Sequence, residues 1–315
     1  MTRDLQDDNP AKVGPGRVLA SRYRIESRIG VGSFGSVFKA MDLELTGPVA
    51  VKVLGTSIAT DPDALGRFRL EVISACRVNH PHAVTVLDFG VTETGIAYLV
   101  MEYLRGRSLD HEMEALGRLP SQRCAQILVP VCGALAKAHR AGIVHRDVKP
   151  SNIFLHRQAG REIPKVLDFG IARLASDSAL QPSLTVDGSI PGTVAYMAPE
   201  RFSSQPYDGR SDVYSLGITL YQMLAGRLPF LTPHRDPLAT AMRQREEEPP
   251  SLAGLHPEVP AEMEAVVRQA LRKDPEERPG VDDLARLLAP FSARPEPLRK
   301  TELEANREST KAPTS

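Results

Sequence analysis

The predominant spacing of apolar residues changes near residue 106, from that of strands to that of helices, and this change constrains the fold more than any other feature. Upstream, β-prone runs at 22–54, 83–91 and 96–104 are separated by glycine, serine and proline. One stretch with helical spacing, 61–79, lies between the first two runs. Downstream, apolar residues recur at helical spacing in the segments 120–142, 211–226, 261–273 and 281–291. The pattern predicts an α+β fold in which a strand-rich lobe with one main helix precedes a helical lobe.

The chain of 315 residues is long enough for two lobes of ordinary size. The predicted divisions are a disordered N-terminus at 1–16, a folded domain at 22–291 with its N-lobe at 22–103 and its C-lobe at 106–291, and a polar flexible tail at 292–315. The proline-rich stretch 231–260 predicts a surface excursion between helices.

Composition excludes several classes of function. The formal net charge is +0 and the sequence pI is about 7.1, so no global field would attract nucleic acid or an anionic membrane. The sequence has no apolar run long enough for a membrane span and no secretory signal. Its three cysteines form no Cys-x-x-Cys pair, which favours a reducing compartment. We expect a cytoplasmic protein without a nucleic-acid partner.

Three glycines at 29–40, in IGVGSFGSVFKA, have the spacing G-x-G-x-x-G at Gly30, Gly32 and Gly35. Glycine lets backbone N–H groups approach phosphate oxygens because no Cβ intervenes, although it also punctuates ordinary hairpins. A strand-like run on each side disfavours the dinucleotide fingerprint, which must open a helix. Val37 completes the longer pattern G-x-G-x-x-G-x-V.

A lysine interrupts the apolar strand VAVKVL at 49–54. Strand alternation places Lys52 on one face with Ala50 and Leu54, where a lone ammonium would be costly. An anionic partner is therefore required, and either a structural carboxylate or triphosphate oxygens would serve. Glu71, in the predicted helix that follows, is the natural carboxylate.

The stretch IVHRDVKPSNIFL at 143–155 carries a carboxylate, a cation and an amide between apolar residues. A loop can aim Asp147 and Asn152 into one cleft although their spacing does not fit one helix face. Asp168 follows an apolar strand in KVLDFG, and carboxylate and amide oxygens are ligands that Mg²⁺ accepts. A second copy of the LDFG sequence, with Asp88, shows that this short motif is weak alone.

Taken together, the motifs resemble the protein kinase family. The glycine-rich loop, the VAVK lysine, HRDVKPSN, DFG and APE occur in the family's order over roughly 22–290. In detail the chain resembles the eukaryotic-like serine/threonine protein kinases of bacteria. The resemblance implies a bilobal kinase fold, in which Asp212 holds the catalytic loop and Arg278 pairs with Glu200. It also implies ATP and Mg²⁺ as cofactors and proteins as substrates.

Site residues follow from this resemblance, position by position. The implied ATP-binding residues are Ile29, Gly30, Val31, Gly32, Ser33, Phe34, Gly35, Ser36, Val37, Ala50, Lys52, Met101, Glu102, Tyr103 and Leu104. The implied catalytic residues are Lys52, Glu71, Asp147 and Lys149, with Asn152 and Asp168 as Mg²⁺ ligands. In these roles Lys52 binds the α- and β-phosphates while held by Glu71, and Asp147 is the catalytic base.

The resemblance also bears on the acceptor and on regulation. Lys149, two residues after the catalytic Asp, resembles serine/threonine rather than tyrosine kinases. Thr193 belongs to the implied substrate-docking segment. Arg146 is expected to capture a phosphate on the loop between Asp168 and Glu200, with Thr185 as the first choice and Ser189 as the second. Autophosphorylation in trans through a transient homodimer is expected.

Other interpretations stay open from sequence alone. A catalytically weak scaffold with the kinase fold is disfavoured by the retained Lys52, Asp147, Asn152 and Asp168. A small-molecule phosphotransferase is disfavoured by the docking-like segment GTVAYMAPE. A metal-free nucleotide sensor would leave the two predicted metal ligands without a purpose.

Overall fold

A computed structural model describes the chain over residues 13–32, 35–54, 66, 69–70, 72–73, 76–169, 194–202, 206–230, 232 and 236–293. The predicted site residues outside the described residues are Ser33, Phe34, Glu71, Thr185, Ser189 and Thr193. Within the described part of the chain, no helix is long and apolar enough to cross a membrane.

Six antiparallel strands form the sheet of the N-terminal lobe in the order β1-β2-β3-β4-β6-β5. They are β1 (Val18–Leu19), β2 (Tyr23–Gly32), β3 (Gly35–Asp42), β4 (Gly47–Leu54), β5 (Val86–Val91) and β6 (Ala97–Glu102). Side chains along β4 belong alternately to two apolar clusters, which we call the outer and the inner cluster. Val51 belongs to the outer cluster, and Ala50 and Leu54 belong to the inner cluster. Lys52 therefore points to the inner face, as the alternation predicts.

Helices dominate the second lobe. They are α1 (Leu109–Leu116), α2 (Ser121–Arg140), α3 (Arg210–Ala225), α4 (Pro237–Glu246), α5 (Leu252–Leu255), α6 (Ala261–Ala270) and α7 (Val281–Ser292). A small antiparallel sheet joins β7 (Gly106–Ser108), β8 (Ile153–Gln158) and β9 (Arg161–Val166). Helix α3 is buried on nearly all sides, since its sequence after Asp212 carries no charged residue. This architecture confirms the predicted α+β fold with two lobes.

The lobes are joined at the back by backbone hydrogen bonds. Val84 N–H donates to Val166 O at 2.9 Å, and Val166 N–H donates to His82 O at 2.8 Å. These bonds attach the segment before β5 to the end of β9. The inner face of the first sheet therefore lies over the residues that follow β9, beginning with Leu167 and Asp168.

The predicted disorder of 1–16 is wrong for its described part. Val13 is buried in the outer cluster of the sheet, and Gly16 N–H donates to Ile25 O at 2.9 Å. The polar composition of this segment outweighed its few apolar residues in the prediction. The rest of this segment, 1–12, and most of the predicted tail, 294–315, lie outside the described residues.

The prediction of an excursion at 231–260 also needs correction, because this stretch contains helices α4 and α5. Asp236 caps α4 by accepting hydrogen bonds from Leu238 N–H at 2.9 Å and Ala239 N–H at 3.3 Å. Pro237 occupies the first turn, where a missing N–H costs nothing. The pair Asp236–Pro237 therefore marks the start of helix α4.

Candidate active site

A cleft of about 1000 Å³ lies between the lobes, and it brings together residues from the glycine-rich loop, the VAVK strand, HRDVKPSN and DFG. The predicted residues among its lining are Ile29, Gly30, Val31, Val37, Ala50, Lys52, Met101, Glu102, Tyr103, Leu104, Asp147, Lys149, Asn152 and Asp168. Gly35 and Ser36 belong to the hairpin that roofs the cleft, and Gly32 pairs with Gly35 at its tip.

Two glycines of the roof hairpin differ in whether the fold itself requires glycine at that position. Gly35 has φ +144°, and a Cβ there would lie 1.9 Å from Val53 O. The fold therefore demands glycine at this position. A Cβ on Gly30 would meet Val37 Cβ at 3.9 Å, which is ordinary van der Waals contact. Nothing in the described chain requires glycine at Gly30, so its small size leaves room on the cleft side.

Lys52 forms an ion pair with Asp168, with Nζ 2.7 Å from Oδ2. The Lys52 side chain is 3% exposed and that of Asp168 is 28% exposed. The predicted requirement for an anionic partner is confirmed, and the described partner is the predicted metal ligand. The other predicted partner, Glu71, lies outside the described residues. Asp168 has φ +54°, a backbone conformation that residues other than glycine adopt at a cost.

The loop between α2 and β8 arranges three predicted residues around one carboxylate. Asp147 Oδ2 lies 2.9 Å from Lys149 Nζ and accepts a hydrogen bond of 2.9 Å from Asn152 Nδ2. Asn152 Nδ2 also donates to Asp147 O at 2.7 Å. Both bonds fix the amide through its nitrogen, so its oxygen faces away from Asp147. The arrangement provides a carboxylate, an ammonium and an oriented amide oxygen on one wall of the cleft.

Asp212, buried at the start of α3, holds this loop from below. Its carboxylate accepts hydrogen bonds of 2.8 Å from the backbone N–H groups of His145 and Arg146, and His139 Nε2 lies 2.8 Å away. Burial would raise the pKa of Asp212, but the bond with His139 and the nearby His145 bring this pKa below its ordinary value. Asp212 is therefore ionised and anchors the loop as a carboxylate.

His145 links the same loop to the residues after β9, which include Asp168. Its Nδ1 accepts from Asp147 N–H at 3.2 Å, and its Nε2 lies 2.7 Å from Leu167 O. These partners select the tautomer in which Nε2 carries the proton. The ring also packs edge-on against Phe169, with centroids 5.0 Å apart. His145 thus couples the positions of Asp147 and Asp168.

At the inner end of the cleft, Glu102 makes contacts that sequence reasoning missed. Its N–H donates to Thr85 O at 3.0 Å, so this group is not available to a nucleotide base. Its carboxylate accepts from Thr85 N–H at 2.8 Å and from Lys165 Nζ at 2.7 Å. Lys165 is buried and also donates to Ala83 O at 3.2 Å. The sequence signal for this ion pair was Lys165, a second lysine within an apolar strand, as at Lys52.

Arg146 and a second arginine, Arg201, flank the ring of Tyr207. Their guanidinium carbons lie 5.6 Å and 5.5 Å from the ring centroid. Arg201 Nη1 donates to Arg146 O, and Arg146 Nε is buried without a hydrogen-bond partner among the described residues. Neither Arg201 nor Tyr207 was predicted. Two cations share this small region beside the catalytic loop.

We name the described residues 194–202 the docking segment. Tyr196 is held by α3: its hydroxyl donates to Gln222 Oε1 at 2.6 Å and its carbonyl accepts from Ser215 Oγ at 2.8 Å. At the other end, Glu200 forms a bidentate pair with Arg278 at 2.6 Å and 2.8 Å. The predicted contacts of Asp212 with the loop and of Arg278 with Glu200 are thus both confirmed.

Comparison with known proteins decides the family. The family model described as protein kinase domain matches residues 23–287. The chain belongs to the protein kinase family. It is 38% identical over 265 residues to "Serine/threonine-protein kinase pkn3" of Myxococcus xanthus, which covers 84% of this chain and 48% of the relative. It is 39% identical over 263 residues to "Serine/threonine-protein kinase PknB" of Mycobacterium leprae, which covers 82% and 41%. The chain therefore spans less than half the length of these relatives.

Solved structures agree with this kinase assignment. The crystal structure of the Mycobacterium tuberculosis PknI kinase domain superposes with a TM-score of 0.69 at 29% sequence identity. The match covers 89% of this chain and 99% of that chain. The resemblance to bacterial kinases of the eukaryotic-like type, and the bilobal kinase fold that it implied, are confirmed.

Proposed function

We propose that this kinase-family chain transfers the γ-phosphoryl group of Mg²⁺-bound ATP to serine or threonine hydroxyls of proteins. The observation that carries the proposal is the content of the cleft: Lys52 with Asp168 on one wall, and Asp147 with Asn152 on the other. Phosphoryl transfer requires mainly positioning and neutralisation of charge, and these side chains have the chemistry for both.

The roof and the segment between the lobes would bind the nucleotide. Ala50 and Met101 supply apolar walls for the adenine ring. The polar edge of the adenine ring would bind the carbonyl of Glu102 and the backbone of Tyr103 and Leu104, because Glu102 N–H is already bonded to Thr85 O. Gly30, with room for a close approach, and the other described residues of the roof hairpin would cover the phosphates.

The described residues fit Mg²⁺ as a cofactor. Among them, no group of three or more His, Cys, Asp or Glu side chains could hold a metal ion by itself. Asp168 and the amide oxygen of Asn152 would instead supply two oxygen ligands, and phosphates and water the others. When bound, Mg²⁺ neutralises charge on the phosphate oxygens. Lys52, beside Asp168, would hold the α- and β-phosphates, with Glu71 as its further partner.

Transfer itself would take place at the wall that carries Asp147. Because Asp147 Oδ2 already contacts Lys149 and Asn152, we assign the acceptor hydroxyl to Oδ1. That oxygen orients the hydroxyl and takes its proton as the new O–P bond forms and the bond to the β-phosphate breaks. Lys149 stabilises negative charge on the transferred group. The names of the relatives and the position of Lys149 favour serine and threonine acceptors.

Mass spectrometry of the chain incubated with Mg²⁺ and ATP, beside an Asp147→Asn control, tests this function. We expect phosphoserine and phosphothreonine on an added protein acceptor with the native chain only. Measurable ATP binding without transfer by either chain would contradict the proposal and favour the scaffold. Equal phosphate with both chains would show that Asp147 is not the catalytic base. Mainly phosphotyrosine would refute the acceptor class.

We further propose that phosphorylation of the segment before Thr193 activates the enzyme, in trans and in the cytoplasm. The three cysteines are free thiols, which suits a reducing compartment. Arg146 and Arg201 offer two guanidinium groups to a phosphate on Thr185 or, as second choice, on Ser189. Thr193, the residue before the docking segment in the sequence, would belong to the surface that binds the acceptor.

Autophosphorylation kinetics test this regulation. The initial rate per chain should rise with concentration, as a transient homodimer requires, and Thr185→Ala should lower kcat severalfold. Arg201→Gln should abolish the difference between phosphorylated and dephosphorylated enzyme. Unchanged activity in both Thr185→Ala and Ser189→Ala would contradict the assignment of the phosphate.

A further inference from the structure

Gln244 of α4 is a fully buried side chain that reaches the docking segment. Its Nε2 donates to two consecutive backbone carbonyls, Val194 O at 3.0 Å and Ala195 O at 2.7 Å. The residue is 0% exposed, so water does not compete for these bonds. One amide therefore fixes the direction of two peptide groups at the start of the docking segment.

The other end of the same amide is unsatisfied. Gln244 Oε1 is buried and has no hydrogen-bond partner among the described residues. A buried carbonyl oxygen without a donor is destabilising, and such groups in native proteins call for an explanation. An apolar side chain of similar length would remove this penalty. Val194 O would keep its bond from Met197 N–H at 3.1 Å, whereas Ala195 O would lose its described donor. The explanation we favour is that the two donated bonds serve the enzyme's reaction rather than its stability.

One buried cluster ties both ends of the docking segment. Gln244 O accepts from Lys273 Nζ at 2.7 Å and from the Tyr214 hydroxyl at 3.4 Å. The guanidinium of Arg278 lies 4.9 Å from the Tyr214 ring centroid and pairs with Glu200. The cluster thus reaches the amino end of the segment through Gln244 and its carboxyl end through Arg278.

The docking segment in turn lies beside the catalytic loop. Arg201, within the segment, donates to the carbonyl of Arg146, the residue before Asp147. None of the described residues of the docking segment or of α4 lines the nucleotide cleft. A shift at Val194 and Ala195 would therefore move the surface next to Asp147 without altering the walls that face a nucleotide.

We propose that Gln244 is a positioning residue for the acceptor protein: by holding Val194 and Ala195, it sets the docking segment at the distance from Asp147 that transfer requires. The inference rests on the proposed kinase activity. It assigns to α4 a role in acceptor affinity that is separable from nucleotide binding and from folding.

Steady-state kinetics of Gln244→Met test this role, with dephosphorylated β-casein as the acceptor and ATP varied separately. Methionine keeps the length of the side chain and removes both donors and the unpaired oxygen. We expect KM for casein to rise about tenfold, the size expected from losing one or two buried hydrogen bonds. We expect KM for ATP to stay within twofold. We expect the melting temperature to change little, because removal of the unpaired oxygen offsets the loss of the bond to Ala195 O.

Two further variants separate positioning from a structural effect. Gln122→Met removes a glutamine that donates to Ser292 O at 3.5 Å, between α2 and α7, and should leave both KM values unchanged. Gln244→His retains one N–H donor and should recover part of the lost casein affinity. A casein KM within twofold of wild type in Gln244→Met would overturn the inference, as would a histidine variant no better than methionine. If wild type itself transfers no phosphate to casein, both the proposed function and this inference fail.

Discussion

The floor of the cleft, at the loop that carries Asp147, is buried and bonded on several sides, whereas its roof is open. His145 and Asp212 are 0% exposed, and their hydrogen bonds join the loop to α2, α3 and the residues after β9. In the roof hairpin, Ile29 is 49% exposed and Val31 is 73% exposed. Both of these apolar side chains line the cleft.

The contrast shows how one cleft can combine fixed chemistry with room for a nucleotide. On the floor, Arg146 has φ +70°, a strained conformation for a side-chain-bearing residue. Its N–H is bonded to Asp212 and its C=O to Arg201, so the surrounding structure maintains the strain. The described residues of the roof hairpin make no comparable hydrogen bonds to the floor. Exposed valine and isoleucine gain burial when a ligand covers them.

The largest effect on stability and kcat should follow from loss of Asp212, the anchor of the loop on the floor. Asp212→Asn places an amide N–H against backbone N–H donors in a buried site, so the free energy of unfolding should fall by about 3 kcal/mol or more. Because the same bonds fix the loop of Asp147, kcat should fall at least about a hundredfold. Thermal unfolding and steady-state kinetics measure the two effects.

Asp282→Asn is the matched control, since this exposed carboxylate pairs with Arg140 at 3.1 Å on the surface. Its effect on unfolding should stay below about 1 kcal/mol. Equal effects of the two substitutions would remove the distinction between an anchored floor and the rest of the protein.

Lys52→Met should separate chemistry from stability. The buried ammonium is lost together with its desolvation penalty, and the remaining Asp168 carboxylate is 28% exposed and can be hydrated. We therefore expect little change in melting temperature but a loss in kcat/KM for ATP of about a hundredfold or more. Arg24→Met, exposed on β2, should preserve both quantities. Unfolding of Lys52→Met at ordinary temperature would show that the ion pair with Asp168 is structural.

The two roof glycines allow a finer test. Gly35→Ala combines φ +144° with a clash against Val53 O, so it should lower the free energy of unfolding by about 1–3 kcal/mol. Gly30→Ala meets no close neighbour and should leave unfolding unchanged, while KM for ATP rises severalfold because the new Cβ occupies cleft space. Steady-state kinetics with ATP varied and thermal melts distinguish these outcomes. The reverse pattern would refute the assignment of Gly30 to the nucleotide.

Sequence reasoning succeeded where the signal is local. The alternation of VAVKVL placed Lys52 on the inner face, and the order of short motifs predicted which side chains meet in one cleft. The second inference came from the resemblance to the protein kinase family over roughly 22–290, whereas the first depends only on neighbours within a few residues. The same is true of helices α2, α3, α6 and α7, whose apolar spacing defines their buried faces.

Contacts between distant positions were not predictable in this way. Lys52 and Asp168 are 116 residues apart, and Gln244 is 50 residues from Val194. A lysine in an apolar strand indicates that a partner exists, but it does not identify that partner. Gln244 carried no signal at all, because an isolated glutamine in a helix is ordinarily exposed. Such pairings depend on how elements pack after they have formed.

The smallest predicted effect concerns pH and Lys273, in the cluster beneath the docking segment. Burial lowers the pKa of Lys273 to about 8 from its ordinary 10.5, although Nζ donates to Gln244 O and lies 4.5 Å from the Phe230 ring centroid. Below pH 8 both states carry the proton and the full cost of burial remains. Between pH 8 and 10.5 the unfolded chain retains more protons than the folded one, so the free energy of unfolding contributed by this residue rises with pH. In wild type, the free energy of unfolding should therefore rise by about 1 kcal/mol or less between pH 8 and 10, because partial exposure and the aromatic contact reduce the effect. In Lys273→Met this rise should be absent. Lys137→Met, at an exposed position on α2, should keep the wild-type dependence of the free energy of unfolding on pH. If Lys273→Met also kept this dependence, the Lys273 ammonium would stay charged against the aromatic rings. The cluster beneath the docking segment would then contain a permanent cation.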